Sequence, residues 1–207
     1  MIELYEFPLS GNCHKVRLLL SLLGLDYRSH LLNGAEREQK TPAFLALNPF
    51  GQVPVLADGG TVLRDSQAIL VYLARRYGGP DWWPDDPAAL AGTVAWLSVA
   101  ANEMAHGPNA LRLHHRFGRP LDVPAAEATC AALLAVLEAH LGRHGWFGPG
   151  RLGIADLALY PYIALAPEGR VDLSPWPAIR AWLARIQRLP GHVAMPGLFD
   201  ALAEAVR

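Results

Sequence analysis

The 207-residue chain has only two cysteines and almost no net charge, −1. Cys13 and Cys130 lie far apart, which suggests neither a disulfide framework nor a zinc site. Near-balanced charge excludes a global field that draws in nucleic acid or an anionic membrane, so neither is expected as a partner. No apolar run approaches the length expected of a bilayer span. Glu3 and Glu6 fall inside the first apolar run, and no basic stretch precedes it, so no secretory leader is expected. A reducing cytoplasm is the simplest setting. Internal repeats and low-complexity tracts are also missing. What the chain does have is apolar content, 52% hydrophobic against 18% charged residues. That is enough for a sizeable core in one large or two small domains.

The first third alternates strand-like and helix-like segments. Ile2 to Phe7 reads as a strand, and Asn12 to Leu23 as a helix closed by Gly24. Asp26 to Leu32 reads as a second strand. Thr41-Pro42 starts a short helix, with Thr as N-cap and Pro in the first turn. Val53 to Ala57 and Thr61 to Arg64 flank the turn Asp58-Gly59-Gly60, which predicts a hairpin. Asp65-Ser66 then caps a helix with apolar positions at Ile69, Leu70, Leu73 and Tyr77. The order strand, helix, strand, helix, strand, strand, helix matches a thioredoxin-like fold, with a parallel crossover first and an antiparallel edge last.

Residues 79–87, rich in Gly, Pro and Asp, predict a linker after a first domain of residues 1–78. Strand signals then cease, and residues 88–207 predict an all-helical bundle. Its helices are expected at Ala88 to Met104, continuing to Phe117 with a bend at Gly107-Pro108, then Pro124 to Leu141 and Gly153 to Leu165. Pro177 to Leu189 and Gly197 to Val206 complete the set. The fold class is therefore α/β plus all-α, a thioredoxin-like domain followed by a helical bundle.

Three stretches could carry chemistry. Ser10-Gly11-Asn12-Cys13 sits where the first strand hands over to a helix, whose first turn offers unpaired N–H groups and partial positive charge. An anion, a thiolate included, is stabilised there; an ordinary capped loop is the alternative. The stretch has the form of a C-x-x-C motif with serine first. Ser10 has no evident base to make it a nucleophile, but its hydroxyl could donate to another molecule's thiolate. Cys13 reads as a buried, inert thiol. Val53-Pro54 opens a strand with a residue that cannot donate to the ladder. Either it starts an edge strand, or a cis bond turns the Val53 backbone groups toward a peptide-like ligand. Asp65-Ser66 is either a plain helix cap or a cluster for the ammonium and carboxylate of an amino acid.

With these stretches and Leu47-Asn48-Pro49-Phe50-Gly51-Gln52 ahead of Val53, Gln67-Ala68-Ile69 after Ser66, and Gly153-Ile154-Ala155-Asp156, the chain resembles a bacterial cytosolic glutathione transferase over essentially its whole length. The resemblance implies a glutathione site on the first domain, a cleft between the domains for a small hydrophobic electrophile, a peroxide or a disulfide, and a homodimer. It implies Ser10 as the activating hydroxyl of theta-like and nu-like classes, and Asn12 as the sulfur contact of nu-like members. Val53 would pair with the cysteinyl backbone ahead of a cis Pro54, and Asp65 and Ser66 would hold the γ-glutamyl end. Lys40 and Gln52 would meet the glycine carboxylate, with Gln39 a weaker candidate beside Lys40.

Departures from the family pattern are visible. Tyr5 lies too early for a catalytic tyrosine. Asp65 stands where Glu is commoner, and Gly153 where the family has a hydroxyl N-cap. Asp156 can still reach the Gly153 N–H, half of a capping box, and is expected to serve folding. The serine-to-cysteine spacing also fits zeta-like isomerases. Domain placement suggests that Asn102, Glu103 and His106 line the cleft. His106, His114 and His115 do not share a helical face, so no metal site is expected. His114-His115-Arg116 reads as a solvated or interface face, and Trp96, Trp146, Tyr160, Tyr162, Trp176 and Trp182 as core. A regulatory binding protein, or a glutathione-dependent isomerase, dehalogenase or disulfide reductase, remains an alternative to the transferase.

Overall fold

The structure, a computed structural model, describes residues 1–201. A four-stranded sheet is built from β1 (Ile2–Glu6), β2 (Tyr27–Leu31), β3 (Val55–Asp58) and β4 (Thr61–Arg64), in the order β2-β1-β3-β4. β1 pairs in parallel with β2, Ile2 opposite Tyr27, and antiparallel with β3, Tyr5 opposite Val55. The β3–β4 hairpin closes on Asp58 and Thr61, with Gly59 at φ 59° in the turn, a conformation that favours glycine. β3 begins at Val55, two residues later than the apolar run suggests.

Helix α1 (Gly11–Leu22) buries Cys13, His14, Lys15, Val16 and Leu18 to Leu20. The short α2 (Pro42–Leu47) starts on Thr41, whose Oγ1 accepts from the Phe44 N–H. Helix α3 (Ser66–Leu73) turns into a wider π-type coil over Ala74–Gly78, and a 3-10 turn follows at Gly79–Asp81. The front of the expected linker is thus coiled.

Beyond it the chain is helical. Helix α4 (Pro87–Ala101) stops at Asn102 rather than running on to Met104. Asn102 leaves helical geometry at φ −110°, ψ −81°, in keeping with the poor helix preference of asparagine. A single turn, α5 (Glu103–His106), leads to Gly107 and then α6 (Pro108–Phe117). The break at Gly107-Pro108 is the expected one. Gly107 sits so close to the Cys130 backbone that a Cβ would approach it to 3.1 Å.

Helix α7 (Val123–Leu141) has the length and composition to cross a membrane, with a mean hydropathy of 1.2 over its window, so the sequence reading of no such run needs correcting. It carries Glu127 and Glu138 and buries one stripe, Ala126, Cys130, Leu133, Leu134, Leu137 and Leu141, within the helical core, as a core helix does.

Helix α8 (Ile154–Ala164) is buried along its whole length and packs on α1, α3, α4 and α6. It is the element shared by both halves of the molecule, which is why it is apolar all round. Its entry is held by Asp156, whose carboxylate accepts from the N–H groups of Phe147, Gly148 and Gly153 at 3.0, 3.4 and 3.0 Å and from Trp182 Nε1 at 2.9 Å. Burial pushes this carboxyl up to about 6 against the pull of those four donors. A 3-10 turn over Ala166–Gly169 follows, and then α9 (Pro177–Gln187). Of the last expected helix, Gly197 lies in a turn and Leu198 to Asp200 are irregular; residues 202–206 lie outside the described residues.

Candidate active site

The loop between β1 and α1 is held from two sides. Arg17, on α1, forms an ion pair with buried Glu6 and donates to the carbonyls of Phe7 and Pro8 at 3.4 and 3.0 Å. Arg112, on α6, donates to the Leu9 carbonyl at 3.1 Å. Ser10 follows as N-cap in extended geometry, and its Oγ accepts from the Cys13 N–H at 3.3 Å. Ser10 also faces the Cys13 sulfur, and its hydroxyl can rotate from that weak acceptor to an incoming anion. Cys13 itself is fully buried, and burial pushes its thiol up to about 11. It is neither exposed nor ionised at neutral pH.

Two hollows meet at this helix end. A polar one of about 70 Å³ is lined by Asn12, Asn48, Gln52, Val53, Pro54, Arg64, Asp65 and Ser66. The Val53–Pro54 peptide is cis. Asp65 caps α3, its Oδ1 accepting from the N–H groups of Gln67 and Ala68 at 2.9 and 3.0 Å. Its other oxygen makes no hydrogen bond among the described residues. Asp65 sits at φ 73°, a costly backbone region for a residue with a Cβ. The Ser66 hydroxyl lies 3.3 Å from Asn12 Oδ1 and also meets Gln67 Oε1.

The second hollow is a cleft of about 580 Å³ between the sheet loops and α6. Phe7, Pro8, Leu9, Leu32, Leu113 and Phe117 form its apolar walls, and Ser10, Asn109, Arg112, Arg119 and Tyr162 its polar spots. Tyr162, on α8, presses on the α1 N-terminus so closely that a Cβ on Gly11 would lie 2.7 Å from its ring.

Seven of the eight sequence-predicted site residues, all except Lys40, therefore gather around one helix N-terminus. Lys40 is exposed and donates to the Phe50 carbonyl at 2.9 Å, outside the lining of either hollow. Tyr5 stacks on His30 with ring centroids 4.5 Å apart and lines neither hollow. Asn102, Glu103 and His106 do not line the cleft; the kinks at Asn102 and Gly107 hand that face to α6. Arg116 is not free in solvent but pairs with Glu168.

Asn48, Arg64, Arg112, Arg119 and Tyr162 also line the hollows and are not among those eight residues. For Asn48 a local signal existed. Its side-chain amide donates to the Gln52 carbonyl at 2.7 Å and its oxygen accepts from the Phe50 N–H, the self-bracing turn expected of Asn before Pro. The other four reach the site through tertiary packing or lie at element ends. No group of metal-binding residues is found among the described residues.

Fold and hollows together define a thioredoxin-like domain joined to a helical one, with a polar groove and an apolar cleft meeting at one helix N-terminus. Residues 4–81 match the glutathione S-transferase N-terminal domain and residues 121–185 its C-terminal domain. The chain is 35% identical over 189 residues to the maleylacetoacetate isomerase of Pseudomonas aeruginosa, covering 86% of this chain and 88% of that protein. It is 32% identical to glutathione S-transferase GstB of Escherichia coli K12, covering 92% and 95%. The theta class glutathione S-transferase of Xanthomonas axonopodis pv. citri, solved with glutathione bound, superposes with a TM-score of 0.83 at 31% identity over 92% of this chain and 94% of that one. The chain belongs to the glutathione S-transferase family.

Proposed function

We propose that this protein is a glutathione transferase that holds glutathione in the polar groove and directs its sulfur at an apolar electrophile in the adjoining cleft. The observation that carries this is Ser10. Its oxygen is engaged by the Cys13 N–H, its hydrogen has only the weakly accepting Cys13 sulfur beside it, and it lines the cleft two residues before Asn12 of the polar groove. The free oxygen of Asp65 takes the γ-glutamyl ammonium, and Ser66 the neighbouring carboxylate. The Val53 backbone pairs with the cysteinyl unit, and Gln52, with Lys40 at longer reach, faces the glycine carboxylate. Ser10 donates to the sulfur, assisted by the N-terminus of α1. Asn12 turns its oxygen toward Ser66, which leaves its amide N–H groups for the same sulfur.

Glutathione supplies the nucleophile. Within the family, the isomerase name of one relative marks the other use to which such a site is put. The same proposal covers a cytoplasmic setting, a detoxifying role, a functional boundary in residues 79–87 and a homodimer. Val62 and Val94, exposed at 48% and 45%, offer apolar surface that suits a second copy.

Calorimetry with glutathione and the ultraviolet absorbance of its thiolate, on wild type and on Ser10→Ala and Asn12→Ala, test the proposal. A lost charge-assisted hydrogen bond of about 1.5–3 kcal/mol raises the bound thiol pKa by about 1–2 units. Activity at neutral pH then drops by about 10- to 100-fold. Unchanged absorbance and kcat/KM in both variants would remove the assigned roles, and no glutathione binding at all would leave a non-catalytic binding protein.

A further inference from the structure

The charges in the cleft are one-sided. Its only charged lining residues are Arg112 and Arg119, and no acid lines it. Arg112 is 2% exposed and fully engaged, its Nε on Glu168 at 2.6 Å and its Nη2 on the Leu9 carbonyl at 3.1 Å. Glu168 is shared with Arg116, so two guanidinium groups stand against one carboxylate behind the wall. Arg119 is exposed, and no acidic side chain pairs with it among the described residues. Its mount is fixed. Gly118 closes α6 at φ 66°, the Arg119 N–H donates to the Leu113 carbonyl at 3.2 Å, and the Arg119 carbonyl meets His114 Nδ1 at 2.8 Å. Beside it Phe117 presents an open ring, backed by the guanidinium groups of Arg112 and Arg116 at 5.3 and 5.6 Å from its centroid. The negative end of the α6 dipole weakens the field here, but three arginines outweigh one glutamate and a helix terminus.

We propose that the cleft selects flat apolar electrophiles bearing a carboxylate or similar anion, and that Arg119 is the residue that recognises that anion. The inference rests on the transferase function and names its substrate class. The ring of such a compound lies against Phe117 and Leu113, its anion meets Arg119, and its reactive carbon faces Ser10. Substitution then proceeds as the glutathione sulfur bonds to the ring carbon and chloride leaves with its electron pair; no oxidant is needed.

The test uses the full chain and a matched pair, neutral chlorodinitrobenzene and anionic chloronitrobenzoate, which lose the same chloride. In Arg119→Gln the KM for chloronitrobenzoate rises about tenfold, the equivalent of about 1.4 kcal/mol. The KM for chlorodinitrobenzene rises far less, so the ratio of the two kcat/KM values shifts by about tenfold. Arg119→Lys restores most of the preference, and added salt erodes it. In parallel, nitrobenzoate is titrated into the protein without glutathione, and binds about tenfold more weakly to Arg119→Gln than to wild type. Equal effects of Arg119→Gln on both electrophiles, or equal nitrobenzoate affinity in the two proteins, overturn the inference. Failure of glutathione to bind would instead overturn the transferase function and leave the nitrobenzoate result to decide the anion site.

Discussion

Replacing Lys15 with methionine should stabilise the protein. Lys15 lies on α1 with no exposed surface, and its Nζ has no hydrogen-bond partner among the described residues. Its ammonium stands 5.4 Å from the Tyr162 ring centroid. Burial lowers its pKa from 10.5 to about 7, and the distant pull of Asp65 does not offset this. At about 1.4 kcal/mol per unit, that shift costs the folded state about 5 kcal/mol at neutral pH.

The sign follows from proton counting. From about pH 7 to about pH 10 the unfolded chain holds the proton and the folded one has lost it, so stability rises with pH. Below about pH 7 both are protonated and the penalty stands in full. Methionine keeps the stem volume and removes the charge. Allowing for imperfect packing, Lys15→Met should gain about 2–4 kcal/mol at neutral pH, which raises Tm by about 5–15 °C for a chain of this size. Urea unfolding followed between about pH 6 and pH 9.5 should show a rising stability for wild type, up to about 1.4 kcal/mol per pH unit. The variant should lack that component. A less stable variant, or identical pH slopes in the two proteins, refutes the reasoning.

Two further outcomes concern the packing around the site. Asp156→Ala strips four N–H donors, three of them buried, of their acceptor and should cost about 3–6 kcal/mol, with Asp156→Asn recovering only part; a urea-measured loss below about 2 kcal/mol would show those donors find other partners. Gly11→Ala forces a methyl into the Tyr162 ring at 2.7 Å and should lose about 1–3 kcal/mol. Tyr162→Leu in the same chain should return part of that loss, and strict additivity in the double-mutant cycle would show that the two side chains do not collide.

The fold was legible because its signals are local. Thr41-Pro42, the Asp58-Gly59-Gly60 turn and the Asp65-Ser66 cap each mark an element end by backbone chemistry. The seven gathered site residues were legible for the same reason, since they sit at strand and helix ends in the first domain. The cleft was not. Arg112, Arg119 and Tyr162 come from the helical half and meet the Ser10 loop only through the packing of α6 and α8. Periodicity says which face of a helix is apolar but not which loop it will cover. The break at Asn102 was similarly hidden. It shifts the cleft wall from α5 to α6, and a single asparagine in an alanine-rich run gives little notice of a kink.

The loop before Ser10 is tethered from both lobes, by Arg17 through Phe7 and Pro8 and by Arg112 through Leu9. Sulfur handling and co-substrate choice are thereby mechanically linked. A tilt of α6 against the sheet pulls on the Leu9 carbonyl and carries the hydroxyl with it. Diversification of the cleft is accordingly channelled to Asn109, Leu113, Phe117 and Arg119, which can change without slackening the tether, while position 112 has to stay a long, forked donor.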